Sequence, residues 1–205
     1  MINNYTAYLN MISEKIDSFF KKQQPFIFCK KGCAKCCTNA QYPFTEIEYK
    51  YLITGYNTLP FDKQTKIYNN IKNTINEKHK SKEKIFTYKC PFLLDNQCSV
   101  YKYRGIICRT FGLLVADDHG SDIPFCALEG LNYSNVYDQK KHLISSAMYN
   151  KLGVKDEPLA FNVQHNFLTS KEFADAYGFK FGKTKPLIDW LEETKILQSK
   201  TTISN

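Results

Sequence analysis

The sequence predicts a mainly α fold: a single helical domain over residues 1–205, interrupted by two irregular cysteine-bearing segments and one small hairpin. Three observations carry this reading. Apolar residues recur at three- and four-residue spacing through most of the chain outside residues 26–40 and 86–128. The 205 residues, 43% of them hydrophobic and with 15 Phe and 14 Tyr, suffice for a buried core without covalent staples. All eight cysteines fall inside the two irregular segments, at 29, 33, 36 and 37 and at 90, 98, 108 and 126.

Taken in order, Tyr5, Tyr8, Leu9, Ile12, Ile16, Phe19 and Phe20 line one face of a helix over 5–22, which Pro25 ends. Thr45 and Glu48 have the spacing of a capping box, and with Ile47, Tyr51 and Leu52 they predict a helix over about 45–55. Gly55 and Pro60 punctuate it. Ile67, Ile71 and Ile75 predict a third helix from Phe61 to about Lys82, its opposite face polar and basic. Pro91, Asp95-Asn96-Gln97, Gly105 and Gly112 then break the chain into short pieces, read as a hairpin at 88–101 and a helical turn near 102–110. Further helices are expected over Asn135–Leu152, 170–177 and 184–198. The cysteine-cluster region thus covers about 26–127 and a C-terminal helical part about 135–198.

Composition excludes several classes. Gly (9) and Pro (7) are too scarce for a low-complexity chain. No apolar run approaches the roughly 18–20 residues of a membrane span. The N-terminal stretch lacks the basic and apolar regions of a signal peptide, so a cytoplasmic protein with no membrane partner is expected. The formal charge of +8 permits contact with a polyanion, but eight thiolates around two divalent ions would bring it to about +4. Nucleic acid is not the expected partner. The Lys–Tyr interleaving at 49–51 and 101–103 is explained more simply by a tyrosine-rich core.

The cysteines carry the chemistry. A disulfide framework serves small secreted domains without a core, and neither condition holds here, so metal ligation is the favoured reading. Cys29-Lys-Lys-Gly-Cys33-Ala-Lys-Cys36-Cys37 can direct several sulfurs at one site, with Gly32 and Ala34 giving the backbone room. Lys30, Lys31 and Lys35 supply positive potential that favours thiolates, or simply solvate the loop. Sulfur-only ligation suits zinc or iron–sulfur clusters and disfavours magnesium and calcium. Only Cys33 and Cys36 have a zinc-knuckle spacing, so an iron–sulfur cluster is favoured over zinc. Cys36 and Cys37, as sequence neighbours, point in different directions and are expected to do different jobs, Cys36 joining Cys29 and Cys33. Of 28 basic residues only Arg104 and Arg109 are arginine, and both lie among the second cysteine set. Their planar guanidinium groups are candidates to hydrogen-bond cluster sulfurs, a carboxylate or a bound anion, or to pack and finish a helix. Asp117-Asp118-His119 before Gly120 is read as a turn, and His79, His142 and His165 as structural or solvated.

The first cluster, then Cys90-Pro91-Phe92-Leu93, Cys98, Val100-Tyr101, Arg104 and Cys108-Arg109-Thr110-Phe111, together resemble the YkgJ-type cysteine-cluster proteins. Cys126 fits a further downstream cysteine, and Gly105 stands where that family usually has proline. The resemblance covers about residues 26–127. It implies a zinc- or iron-chelating domain, and in the flagellin lysine N-methylase members an iron–sulfur cluster. The expectation is therefore a metal-binding protein of unknown reaction. The rivals are an S-adenosylmethionine-dependent protein lysine methyltransferase, with a protein substrate, and a metal-delivery or interaction module. Cys29-x3-Cys33-x2-Cys36 also has the spacing of radical S-adenosylmethionine enzymes, which need strand–helix units that the helical reading of 38–85 does not offer.

Overall fold

A computed structural model describes residues 1–30, 32–39, 41–117 and 120–194. Helix α1 (Ile2–Lys22) begins three residues earlier than its apolar spacing suggests and buries Tyr5, Tyr8, Leu9, Ile12 and Ile16. After the short α2 (Lys35–Thr38), strand β1 (Pro43–Thr45) runs straight into α3 (Glu46–Asn57). The capping box forms as its spacing predicts: Glu48 N–H donates to Thr45 Oγ1 at 3.4 Å, and Thr45 N–H to Glu48 Oε2 at 2.8 Å. Gly55 does not end α3. It sits within the helix, where an added Cβ would lie 2.4 Å from the Tyr103 ring, so its missing side chain is what lets that ring pack. Pro60 precedes α4 (Phe61–Lys80), which buries Ile67, Ile71 and Ile75 as expected.

The second cysteine segment opens on the hairpin of β2 (Leu93–Leu94) and β3 (Gln97–Cys98), with Leu93 opposite Cys98. Asp95 and Asn96 make its turn with φ of 49° and 56°, a left-handed conformation these residue types tolerate well. A 3₁₀ turn at Tyr101–Tyr103 leads to α5 (Ile106–Thr110), then to the paired strands β4 (Val115–Asp117) and β5 (Gly120–Asp122). Asp118 and His119 lie outside the described residues. Another 3₁₀ turn, Phe125–Glu129, carries Cys126.

The helix expected over Asn135–Leu152 is corrected. Its first half is a hairpin of β6 (Tyr137–Asp138) and β7 (Leu143–Ile144), and only α6 (Ser146–Lys151) is helical. Asp138 Oδ1 accepts from the amides of Lys140 and Lys141, and His142 takes a φ of 55°. A local side-chain turn thus competes with helix, and it wins because the apolar residues here are widely spaced. The chain continues through α7 (His165–Leu168), α8 (Lys171–Tyr177), β8 (Thr184–Pro186) and α9 (Leu187–Glu193). Residues 195–198 of the expected last helix lie outside the described residues.

Strand β8 pairs antiparallel with β1, with Phe44 opposite Lys185, so α3 and α9 leave from opposite ends of the pair, Glu46 N–H donating to Lys183 O and Leu187 N–H to Tyr42 O. Trp190 Nε1–H donates to Phe44 O at 2.8 Å and its ring stacks on Tyr49. One core forms where α3, α4 and α9 close over residues 88–100. A second joins α1 to Ile47, Ile106, Leu113 and the 179–181 segment. Tyr51 bridges them, packing on both Tyr5 and Tyr103. Among the described residues no helix is long and apolar enough to cross a membrane.

Gly105 is the N-cap of α5 and packs against Phe44 and Glu48. A Cβ there would meet Phe44 Cε1 at 2.7 Å and Glu48 Oε1 at 3.0 Å. Phe44 is buried and cannot swing away, so Gly105→Ala is expected to destabilise the protein by about 1–3 kcal/mol. Chemical denaturation checks this, and unchanged stability would show that Phe44 yields freely.

Candidate metal centre

Seven cysteines, Cys29, Cys33, Cys36, Cys37, Cys90, Cys98 and Cys108, line one cavity of about 720 Å³. Its apolar wall comes from the main core, including Phe44, Leu52, Phe92 and Leu187. Tyr101 stands exposed on it, and its charged lining is Arg104, Arg109, Lys30 and Asp17. The eighth cysteine, Cys126, is buried behind it, close enough that the charges of Cys33 and Cys36 act on its thiol. All eight thiols are free.

Buried polar groups place the sulfurs. Asn132, fully buried, accepts from the amides of Phe28 and Cys29 at 2.8 and 2.9 Å and donates to Gly112 O at 2.8 Å. It thereby pins the first cysteine to the chain that follows α5. Gly32, with φ 90°, allows the turn in which Cys33 N–H donates to Lys30 O. Tyr42 Oη–H donates to Cys36 O at 2.6 Å, and Cys90 N–H donates to Cys37 O at 2.8 Å. That last bond joins the two cysteine segments directly. Cys108 rides on α5, whose first amide, Ile106 N–H, donates to the buried Glu48 Oε1 at 2.7 Å. Sequence reasoning missed Asn132 altogether and read Glu48 only as a helix cap. Capping-box glutamates are ordinarily solvated, and nothing local marks this one as buried.

Electrostatic neighbourhood divides the thiols. Desolvation, then Cys33, pushes Cys29 up to about 12, with Cys36 and Cys126 adding to it. Burial pushes Cys90 up to about 12 and raises Cys98 and Cys108, which repel one another's charge. Cys36 and Cys37, with sulfurs 3.9 Å apart, behave as a pair. The Cys37 S–H, then the backbone amide of Cys36 and last the Arg104 charge lower Cys36 to about 7 against burial, while Cys37 is raised. Cys37 neighbours Cys90 and Cys108, whereas Cys36 acts on both groups.

The two arginines differ. Arg109 donates to Arg104 O (3.2 Å), Ser13 Oγ (3.2 Å) and Lys102 O (2.7 Å), all outside the thiols. Arg104 stacks on Tyr101 with its guanidinium carbon 3.7 Å from the ring centroid, and its buried Nε has no partner among the described residues. Of the loop lysines, Lys35 pairs with Glu129 at 2.8 Å on the surface. His165 pairs with Glu48, His79 with Glu192 and His142 with Tyr137, all outside the cavity lining.

A cavity walled by free thiols, with one guanidinium N–H left unpaired beside them, suits a soft metal or a sulfur-containing cluster. Residues 28–127 match the CxxCxxCC family. That family is described as a "Putative zinc- or iron-chelating domain". The matched CxxCxxCC segment contains every cysteine and both arginines, which supports a metal-binding role for the site. No curated protein and no solved structure matched the chain.

Most of these thiols hold their protons at neutral pH, and ligation must displace them. Metal uptake is therefore expected to release several protons and to tighten as pH rises, which calorimetry in buffers of different ionisation enthalpy measures. The metal-free fold has the matching dependence. Thiols raised above their unfolded value of 9.0 contribute stability that is present below pH 9 and lost as pH climbs towards 12. A metal-free protein equally stable at pH 7 and pH 11 would contradict this.

Proposed function

We propose that this protein is a cysteine-ligated metal protein whose cavity carries an iron–sulfur cluster. One observation carries the choice over a lone zinc ion. Seven cysteines share the cavity, yet among the described residues no three His, Cys, Asp or Glu side chains converge on one ion position. Sulfurs spread around a cavity of about 720 Å³ suit a multi-atom group better than a tetrahedral ion with sulfurs 2.3 Å from its centre. Such a cluster supplies one-electron chemistry when bound. The chain's part is to present thiolates, exclude water with Phe44, Phe92 and Leu187, and hold a positive charge at Arg104.

Protein purified anaerobically is expected to contain iron and acid-labile sulfide in comparable amounts, with broad visible absorption. Stoichiometric zinc without sulfide would overturn the iron–sulfur reading. The neighbouring cysteines are expected to separate. Cys36→Ser, at the junction of both thiol groups, should lower metal content more than Cys37→Ser, whose sulfur faces Cys90 and Cys108. Equal and complete loss from both variants would mean that they serve one shared site in the same way.

A further inference from the structure

Both arginines line the thiol cavity, and Arg109 is the one adjacent to a cysteine in sequence, yet their hydrogen bonding assigns them opposite roles. Arg109 is committed on three sides: Nε and one terminal nitrogen to the carbonyls of Arg104 and Lys102, the other to Ser13. Those carbonyls belong to the loop that carries Arg104. Arg104 sits over the Tyr101 ring, its guanidinium carbon 3.7 Å from the centroid, and its Nε is buried without a partner among the described residues. A buried N–H of a charged group left unpaired costs several times what an ordinary hydrogen bond contributes, so an acceptor belongs there. Arg104 shares the cavity lining with seven sulfurs and with as many side chains bearing oxygen acceptors, Asp17, Asn96 and Gln97 among them, and its charge acts on the thiols of Cys36 and Cys98.

Resting on the metal reading above, we propose that Arg104 donates its buried Nε–H to a metal-bound sulfur on the Cys36 and Cys98 side of the cavity, and that Arg109 is the positioning residue that holds it there. Donation to sulfur, together with a nearby positive charge, stabilises the reduced, more negative form of a cluster and raises its potential. Lysine would supply the charge without the planar fork.

The experiment compares the wild type with Arg104→Gln, Arg104→Lys, Tyr101→Leu and Arg109→Lys, reading metal content, visible spectrum and midpoint potential. Arg104→Gln is expected to shift the spectrum and lower the potential, Arg104→Lys to recover part of the loss, and Tyr101→Leu and Arg109→Lys to give smaller shifts in the same direction. Tyr101 is 58% exposed, so its replacement tests the idea without threatening the fold. A wild-type spectrum and potential in Arg104→Gln would overturn the proposal. If the wild type holds zinc, the iron–sulfur reading alone fails, and chelator competition decides on Arg104. Zinc binding about 10- to 100-fold weaker in Arg104→Gln would then support the proposal, and unchanged affinity would overturn it. A wild type that takes neither metal overturns both.

Discussion

The carboxylate of Glu48 is fully buried, and the arrangement of the site depends on how its two oxygens are satisfied. Burying such a group is costly unless donors replace the lost water. Here Oε2 receives the amide and hydroxyl of Thr45 at 2.8 and 2.7 Å and pairs with His165 Nε2 at 3.0 Å, while Oε1 receives the Ile106 amide. One side chain thereby fixes the starts of α3, α5 and α7 at a common point. Helix α5 brings Cys108 and Arg109, so the register of the second cysteine set is set by a residue of the first half. The glycine at 105 follows from the same constraint, since a side chain there would collide with Phe44 and with Glu48 itself.

Around that point the chain holds the thiols together through its own hydrogen bonds. Asn132 anchors Cys29, Tyr42 anchors Cys36, and the Cys90 amide reaches Cys37 O. A metal entering this cavity meets thiols gathered in its lining but, among the described residues, no three of them converging on one position. Its principal electrostatic work is to displace protons that burial and mutual repulsion have made hard to remove. The exception is Cys36, which the neighbouring thiol and Arg104 predispose to ionise, and it lies where the two groups of sulfurs meet. Assembly by side-chain amides and hydroxyls suits irregular segments, which have no ladder of backbone bonds to order them.

The aromatic residues do for the core what regular sheet would do elsewhere. Tyr49 stacks on Trp190, while Tyr5 and Tyr8 surround themselves with Phe179 and Phe181. Of the tyrosines interleaved with lysine, Tyr49 is buried and Tyr51 half-buried with Lys50 pairing with Glu46 on the surface, whereas Tyr101 is exposed and lies outside the core. Ion pairs between α4 and α9, from Lys78 to Asp189 and Glu192, close the far side of the same core.

The sequence by itself determined whatever depends on neighbours a few residues away. Helices α1 and α4 were legible because their apolar residues repeat at helical spacing, and α3 because a capping box precedes Ile47, Tyr51 and Leu52. The cap at Thr45 and Glu48, the Asp95-Asn96 turn and the sulfur-rich chemistry of the two segments are equally local. The segment at 135–145 misled because its few apolar residues fit a helix loosely while Asp138 and His142 favour a turn. Only the tertiary structure decided that Glu48 is buried, that Asn132 holds Cys29 from 103 residues away, and that Arg109 braces the loop of Arg104 while the Arg104 Nε is buried without a partner among the described residues. Glu48 and Asn132 are polar groups satisfied across a long stretch of chain. Such pairing leaves no periodic trace, because it depends on where separate elements meet in space rather than on what either element contains.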